Sequence, residues 1–214
     1  MVTQSRNKTE IKKPNLLLVE GADAKFFCIW ALEAYGVEEV QVMDFGGITE
    51  LNGYLTTLSL LPGYDKVMAI VIARDAEENP KTAISSIQKA LQVNGLPVPA
   101  GPFEFDGNTP RVAFMLFPGF NEKRQLTAGT LEDLCLAILK NQNQPRLACV
   151  KAYLACLEAQ GQALQWQHKS LLHTYFAGEN RFVGMKIGEA SKAGAWNWEH
   201  ERLQLFKNTL VSLS

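Results

Sequence analysis

KVMAIVIARDAEENP, residues 66–80, decides the fold. From Lys66 to Ala73 the stretch is apolar and β-branched after its first residue, the composition of a strand covered on both faces. Asp75, Glu77 and Glu78 follow, and Asn79-Pro80 opens a predicted helix over Lys81–Val93 with Ile84, Ile87, Ala90 and Leu91 on one face. A strand buried on both faces belongs in a parallel sheet, because only crossover helices cover both sides.

The flanking sequence repeats this pattern. Upstream, Asn15–Val19 is a short apolar run ending at Glu20-Gly21. Phe27, Trp30, Ala31 and Ala34 then recur at helical spacing between Ala24 and Tyr35, and Gly36 stops them. Glu39–Met43 reads as a second strand running into Asp44, and Ile48–Leu60 as a helix closed by Pro62-Gly63. Downstream, residues 95–110 are rich in Gly and Pro and read as a loop or short hairpin arm. Arg111–Phe117 is a fourth strand, stopped by Pro118-Gly119. The order β-α-β-α-β-α-β predicts a Rossmann-like α/β fold with a parallel sheet and right-handed crossovers. From Thr130 onward only helices are expected: Leu131–Leu139, Arg146–Ala159, Trp166–Phe176, Lys186–Ala193 and Trp198–Leu213. The expected organisation is an α/β domain over residues 15–128 with a helical subdomain, 129–214, packed on it.

Composition narrows the classes. The 214 residues are 47% hydrophobic and 20% charged, with a net charge of −1, which suits a folded chain with a sizeable core rather than a disordered one. No apolar run approaches the roughly 18 residues of a membrane span, so no membrane association is expected. The first fifteen residues lack the apolar segment of a secretory signal, and the expected compartment is the cytosol. Cys28, Cys135, Cys149 and Cys156 form no CxxC pair and read as reduced core filler. Charge is uneven: residues 1–139 carry 12 basic and 17 acidic side chains, residues 140–214 carry 9 and 5. An acidic front and a basic back fit a metal site followed by a phosphate-contacting surface, and equally fit ordinary variation in surface composition.

No GxxxxGK[ST], GxGxxG or GxSxG occurs, which removes the P-loop, dinucleotide-binding and nucleophile-elbow classes. His168, His173 and His200 lack HExxH spacing. A phospho-acceptor receiver domain needs an acidic pair after its first strand, where only Glu20 stands. Trp196 and Trp198 flank Asn197 in a basic stretch; base stacking is one reading, core packing the stronger one.

What the strands end in points to chemistry. Ligands of open parallel sheets bind beyond the carboxyl ends of the strands. Here the first strand ends in Glu20, the second in Asp44, and the third in Asp75 and Glu77, two apart and expected to project the same way. Converging carboxylates repel unless a proton or cation lies between them, and an all-oxygen donor set favours Mg²⁺ or Mn²⁺. The alternative is that these acids are turn formers and helix caps, as Asp23 is expected to be.

LLLVEGADAKFF and AIVIARDAEENP, in this order and strand placement, resemble the Toprim domain of topoisomerases, bacterial primases and OLD-type nucleases. GTLEDLCLAIL (residues 129–139) and MKIGEASKAGAWNW (185–198) resemble small bacterial Toprim-like proteins related to the OLD nucleases. The resemblance implies a divalent-metal-dependent, nuclease-like protein acting on nucleic acid, or a non-catalytic Toprim-like module that binds nucleic acid, a nucleotide or a protein partner. It assigns Asp75 and Glu77 to the cation (Mg or Mn), Glu20 to the metal or to proton transfer, and Glu132 with Asp133 to a second metal. Lys186 is implied as a contact to phosphate, or is a solvated helix-end lysine. Glu132 and Asp133 also fit first-turn acids favoured by the helix dipole. One departure stands out: the family's Asp-x-Asp is Asp75-Ala76-Glu77 here, and Arg74, directly before it, can itself pair with a carboxylate in the absence of metal.

Overall fold

The computed structural model describes residues 10–139 and 144–214. Four strands, β1 (Asn15–Glu20), β2 (Val40–Gly46), β3 (Ala69–Asp75) and β4 (Arg111–Phe117), form one sheet in the order β2-β1-β3-β4. All three pairings are parallel, as the alternation of strand and helix requires. The α/β expectation is therefore met. The register aligns the functional ends: Val19 lies opposite both Asp44 and Ala73, and Asp75 lies opposite Phe117. A shift between Val19 and Glu20 sets Glu20 against Gly46 rather than against the next residue of β2.

Alternation along the strands divides the core in two. Leu17, Val19, Val71, Ala73, Ala113 and Met115 point to one face; Leu16, Leu18, Ile70, Ile72, Val112 and Phe114 point to the other. The second face is covered by α2 (Leu51–Leu58) and α3 (Pro80–Val93) through Leu51, Leu55, Leu58, Ala83, Ile87 and Leu91. The first face is covered by α1 (Gly21–Ala34) together with the C-terminal helices. These are α4 (Leu131–Ala137), α5 (Gln144–Ala159), α6 (Gln167–Ala177), α7 (Ile187–Lys192) and α8 (Gln204–Val211). The helices after residue 129 thus complete the core that α1 begins. Phe27 of α1 is the joint: its ring centre lies 6.2 Å from Phe117 on β4, 5.1 Å from Trp198 and 5.8 Å from Phe206 on α8.

Several local expectations are corrected. β2 and β3 run further than their apolar stretches, so Asp44 and Asp75 sit inside strands rather than after them. The helix expected over Ile48–Leu60 is shorter, Leu51–Leu58, and is preceded by a turn in which the Glu50 N–H is donated to Gly47 O at 2.9 Å. Asp23 does not cap α1: the helix starts at Gly21, and Asp23 lies in its first turn. The segment expected as one helix over Trp198–Leu213 is a 3₁₀ turn at Glu201–Leu203 followed by α8, with His200 Nδ1 accepting the Arg202 backbone N–H at 3.1 Å. Cys28 and Cys135 are core, but Cys149 and Cys156 are exposed on α5 and fill nothing. Trp196 is buried, with its Nε1–H donated to Ser191 Oγ at 2.6 Å, which bears out the packing reading. Residues 95–110 fold back on the sheet edge, where Phe103 N–H meets Phe114 O and Asp106 bridges Val112, covering the exposed side of β4. Among the described residues no helix is long and apolar enough to cross a membrane.

Because Phe27 ties the sheet to the C-terminal helices, Phe27→Ala should cost about 3–5 kcal/mol of stability, the usual range for a fully buried Phe. Urea unfolding followed by tryptophan fluorescence checks this. Trp196 and Trp198 report the same transition as far-ultraviolet circular dichroism if the sheet and helices unfold together.

Candidate functional site

At the carboxyl end of the sheet, β3 delivers Arg74 and Asp75 in succession to opposite faces. Arg74 is 1% exposed, and its Nε lies 3.4 Å from Glu20 Oε2 at the end of β1, with Nη1 3.5 Å from Ser86 Oγ on α3. The Glu20 contact is one of charge and not of hydrogen-bond geometry: both Glu20 Oε2 and Arg74 Nε are buried without a hydrogen-bond partner. Burial raises the Glu20 pKa although Arg74 opposes it, and Glu77 and Asp44 add to the rise.

Asp75 takes the other side. Its Oδ1 accepts the backbone N–H of Leu131, the first residue of α4, at 2.8 Å. Two residues on, Glu77 and Gly129 exchange backbone hydrogen bonds of 3.0 and 2.8 Å. These bonds seat the start of α4 against the end of β3. Glu77 adopts φ 54°, so the strand's alternation ends before it, and its side chain is exposed rather than parallel to that of Asp75. Gly129 holds φ 131°, and a Cβ there would meet Asp133 Oδ2 at 2.6 Å and Pro118 Cδ at 3.2 Å. Only glycine fits that approach.

The docked helix brings Glu132 into the cluster. Glu132 is 5% exposed, and Lys169 Nζ of α6 lies 3.7 Å from its Oε1. Burial and Glu132 together push Asp75 up to about 8, with Glu20 and Glu77 adding to the rise and the Leu131 N–H opposing it. Asp23 is raised too, by burial and then by Glu132, against the lowering influence of His173, Lys186 and Lys169. Glu20, Asp75, Glu77 and Glu132 thus form one electrostatically coupled group, with Asp23 joined to it through Glu132. Lys169, Lys186 and His173 stand on the Asp23 side of the group.

Two expected residues have other uses. Asp133 Oδ2 accepts the Thr130 backbone N–H at 2.8 Å and lies 3.3 Å from Thr130 Oγ1, so its carboxylate caps α4 and aims Glu132 instead of facing the cluster. Asp44 Oδ1 accepts from Gly21 N at 2.9 Å and Gly46 N at 2.8 Å, closing the turns that follow β1 and β2. Lys186 is exposed at the start of α7, where its own N–H is donated to Glu189 Oε2 at 2.8 Å. Asp23, His173 and Lys169 were missed in the sequence. No spacing rule links α1 to α6, and only the packing of α6 on α4 brings them together.

Among the described residues, no three acidic, histidine or cysteine side chains are arranged to hold a metal ion between them. The donor chemistry nevertheless suits a hard cation: carboxylates raise one another's pKa, and a buried Glu20 oxygen lacks a hydrogen-bond partner. In this arrangement a proton on Asp75 and the Arg74 guanidinium supply the neutralisation.

The family model described as "Protein of unknown function (DUF3226)" matches residues 14–214, and the chain belongs to that family. The match takes in the sheet and the C-terminal helices as one unit. No curated protein and no solved structure matches the chain.

The raised pKa of Asp75 makes stability depend on pH with a definite sign. In the unfolded chain Asp75 ionises near its ordinary 3.8; in the folded chain it keeps its proton to about 8. Between these values the folded state binds more protons, so its stability falls as pH rises, by at most about 1.4 kcal/mol per pH unit from this group. Asp75→Asn keeps the acceptor for Leu131 and removes the ionisation. Without divalent metal, the variant should melt at higher temperature than wild type at pH 8–9 and show the flatter profile from pH 5 to 9 in scanning calorimetry.

Proposed function

We propose that this chain is a divalent-metal-dependent, nuclease-like protein that processes phosphodiesters of nucleic acid in the cytosol. The observation that carries the reading is the electrostatic coupling of Asp75, Glu20, Glu77 and Glu132 at the carboxyl end of the parallel sheet, where burial first and the neighbouring carboxylates second push Asp75 up to about 8. Their order along the chain resembles the Toprim pattern, with Glu77 in place of its second Asp. Asp75 and Glu77 are the residues to hold Mg²⁺ or Mn²⁺, Glu132 serves a second cation, and Asp133 positions Glu132. A bound cation supplies charge that a phosphodiester needs and that bare carboxylates oppose. Glu20 takes the proton of the attacking group, a role suited to a carboxyl whose pKa is raised by burial. Lys186, beside Asp23, contacts phosphate on the substrate side. The cytosolic setting accords with four free cysteines.

A second reading, a Toprim-like binding module without catalysis, is favoured by one observation. Arg74 is buried against Glu20, and a guanidinium there competes with a cation for that carboxylate. The same assay separates the two. Purified protein with Mg²⁺ or Mn²⁺ should cleave DNA or RNA, and chelation should stop it. Glu20→Gln should lower turnover roughly hundredfold or more, the usual loss of a general base, with circular dichroism showing that the variant stays folded at the assay temperature even though Arg74 loses its carboxylate partner. Tight retention of nucleic acid with no cleavage in any metal would instead select the binding module.

A further inference from the structure

A second feature lies one strand away from the acidic cluster. Beyond the carboxyl end of β4, a cavity of about 650 Å³ opens between the loop after Phe117, the returning arm at Phe103 and the start of α8. Its volume is that of a small-molecule pocket. Phe117 and Phe206 form its buried floor, 5.9 Å apart, while the half-buried rings of Phe103 and Phe120, 5.8 Å apart, form a wall. Leu205, 46% exposed, stands at the mouth.

The polar groups say what the cavity suits. Arg124 and Arg202 line it, but so do Glu122 and Glu201, so it carries no net charge and has no special attraction for phosphate. Arg202 is half-buried and lines the cavity, and its Nε is buried without a hydrogen-bond partner. Guanidinium side chains set among aromatic walls suit a flat, uncharged ligand that carries acceptors at its edge. Phe103 and Arg124 both hold left-handed backbone, φ 68° and 56°, a costly conformation for non-glycine residues and one that clusters at ligand sites.

Phe117 is the register partner of Asp75, and its carbonyl accepts the Ala76 N–H at 2.8 Å, so the floor of the cavity and the acidic cluster share adjacent strand ends. We propose that this cavity receives an unstacked nucleobase of a single-stranded nucleic acid whose backbone passes the acidic cluster. The identity of the polymer rests on the nuclease-like reading; the aromatic cavity and its orphaned donor stand apart from it. A base in a duplex is stacked on both faces and cannot enter, so the protein selects single strands.

The test is fluorescence anisotropy of the full chain with fluorescein-labelled homopolymeric single strands and with a blunt duplex of equal length, in Ca²⁺ to suppress turnover. Wild type should prefer the single strand. Phe120→Ala should weaken that binding about tenfold, a typical loss for one base–aromatic stack, and Phe120→Tyr should restore it. Leu205→Glu, at an exposed position where folding is not in question, should weaken it comparably. Arg202→Gln should flatten differences among the four homopolymers. Unchanged single-strand affinity in both Phe120→Ala and Leu205→Glu, or equal affinity of wild type for duplex and single strand, would overturn the proposal. Failure of the catalytic reading looks different: single strands bind through the cavity, yet no metal supports cleavage. If cleavage proceeds with undiminished affinity in both Phe120→Ala and Leu205→Glu, the cavity fails and the catalytic reading stands.

Discussion

The site depends on one junction, the docking of α4 onto the end of β3. Asp75 accepts from Leu131, Glu77 exchanges two backbone bonds with Gly129, and Gly129 leaves room for the Asp133 cap. Without that junction Glu132 would be an exposed helix acid in solvent, with little effect on Asp75. With it, a fourth carboxylate is set into a partly desolvated group. The helix that completes the core of one sheet face thereby also supplies the site's most buried acid.

Such a group stores electrostatic free energy, and the molecule relieves it with a proton on Asp75, the Arg74 guanidinium beside Glu20 and the Lys169 ammonium beside Glu132. Arg74 serves Glu20, and a proton serves Asp75. The two acids belong to neighbouring strands, and the two remedies act from opposite sides of β3. On the proposed reading, a divalent ion seated on Asp75 would displace the proton there, and to reach Glu20 it would also have to outcompete a guanidinium that is almost wholly buried. Metal affinity would then be coupled to pH through Asp75 and to the Arg74 contact through Glu20.

Much of the fold was legible because its signals are local. Apolar runs of strand length separated by helical periodicity leave few alternatives to a parallel sheet, and the four strands and eight α-helices of the described residues lie where the pattern points, with shifted ends. The ends were misjudged where polarity and backbone geometry part company. Asp44 and Asp75 look like loop residues, yet the ladder continues through them because their carboxylates satisfy backbone N–H groups of neighbouring elements. The acids at the strand ends were visible by the same logic. Asp23, Lys169 and His173 were not, since they meet through helix packing that no single stretch encodes. Glu132 and Asp133 differ by their place after the cap: Thr130-x-x-Asp133 has capping-box spacing, which commits Asp133 to the helix end and leaves Glu132 for the cluster.

The junction also bears on the spacing between the acidic cluster and the aromatic cavity. β3 and β4 are neighbours, so Asp75 and Phe117 stand in register and cannot move independently without breaking ladder bonds. Phe117 in turn packs against Phe27 and Phe206, which ties the aromatic floor to α1 and α8. Charge at one strand end and aromatic surface at the next are therefore held at a fixed spacing by the parallel ladder. Loops carry the flanking groups, Glu77 on one side and Phe120 with Arg124 on the other. On the proposed reading, such a division gives a fixed frame for positioning and loop groups for fit, the arrangement that precise chemistry on a single strand demands.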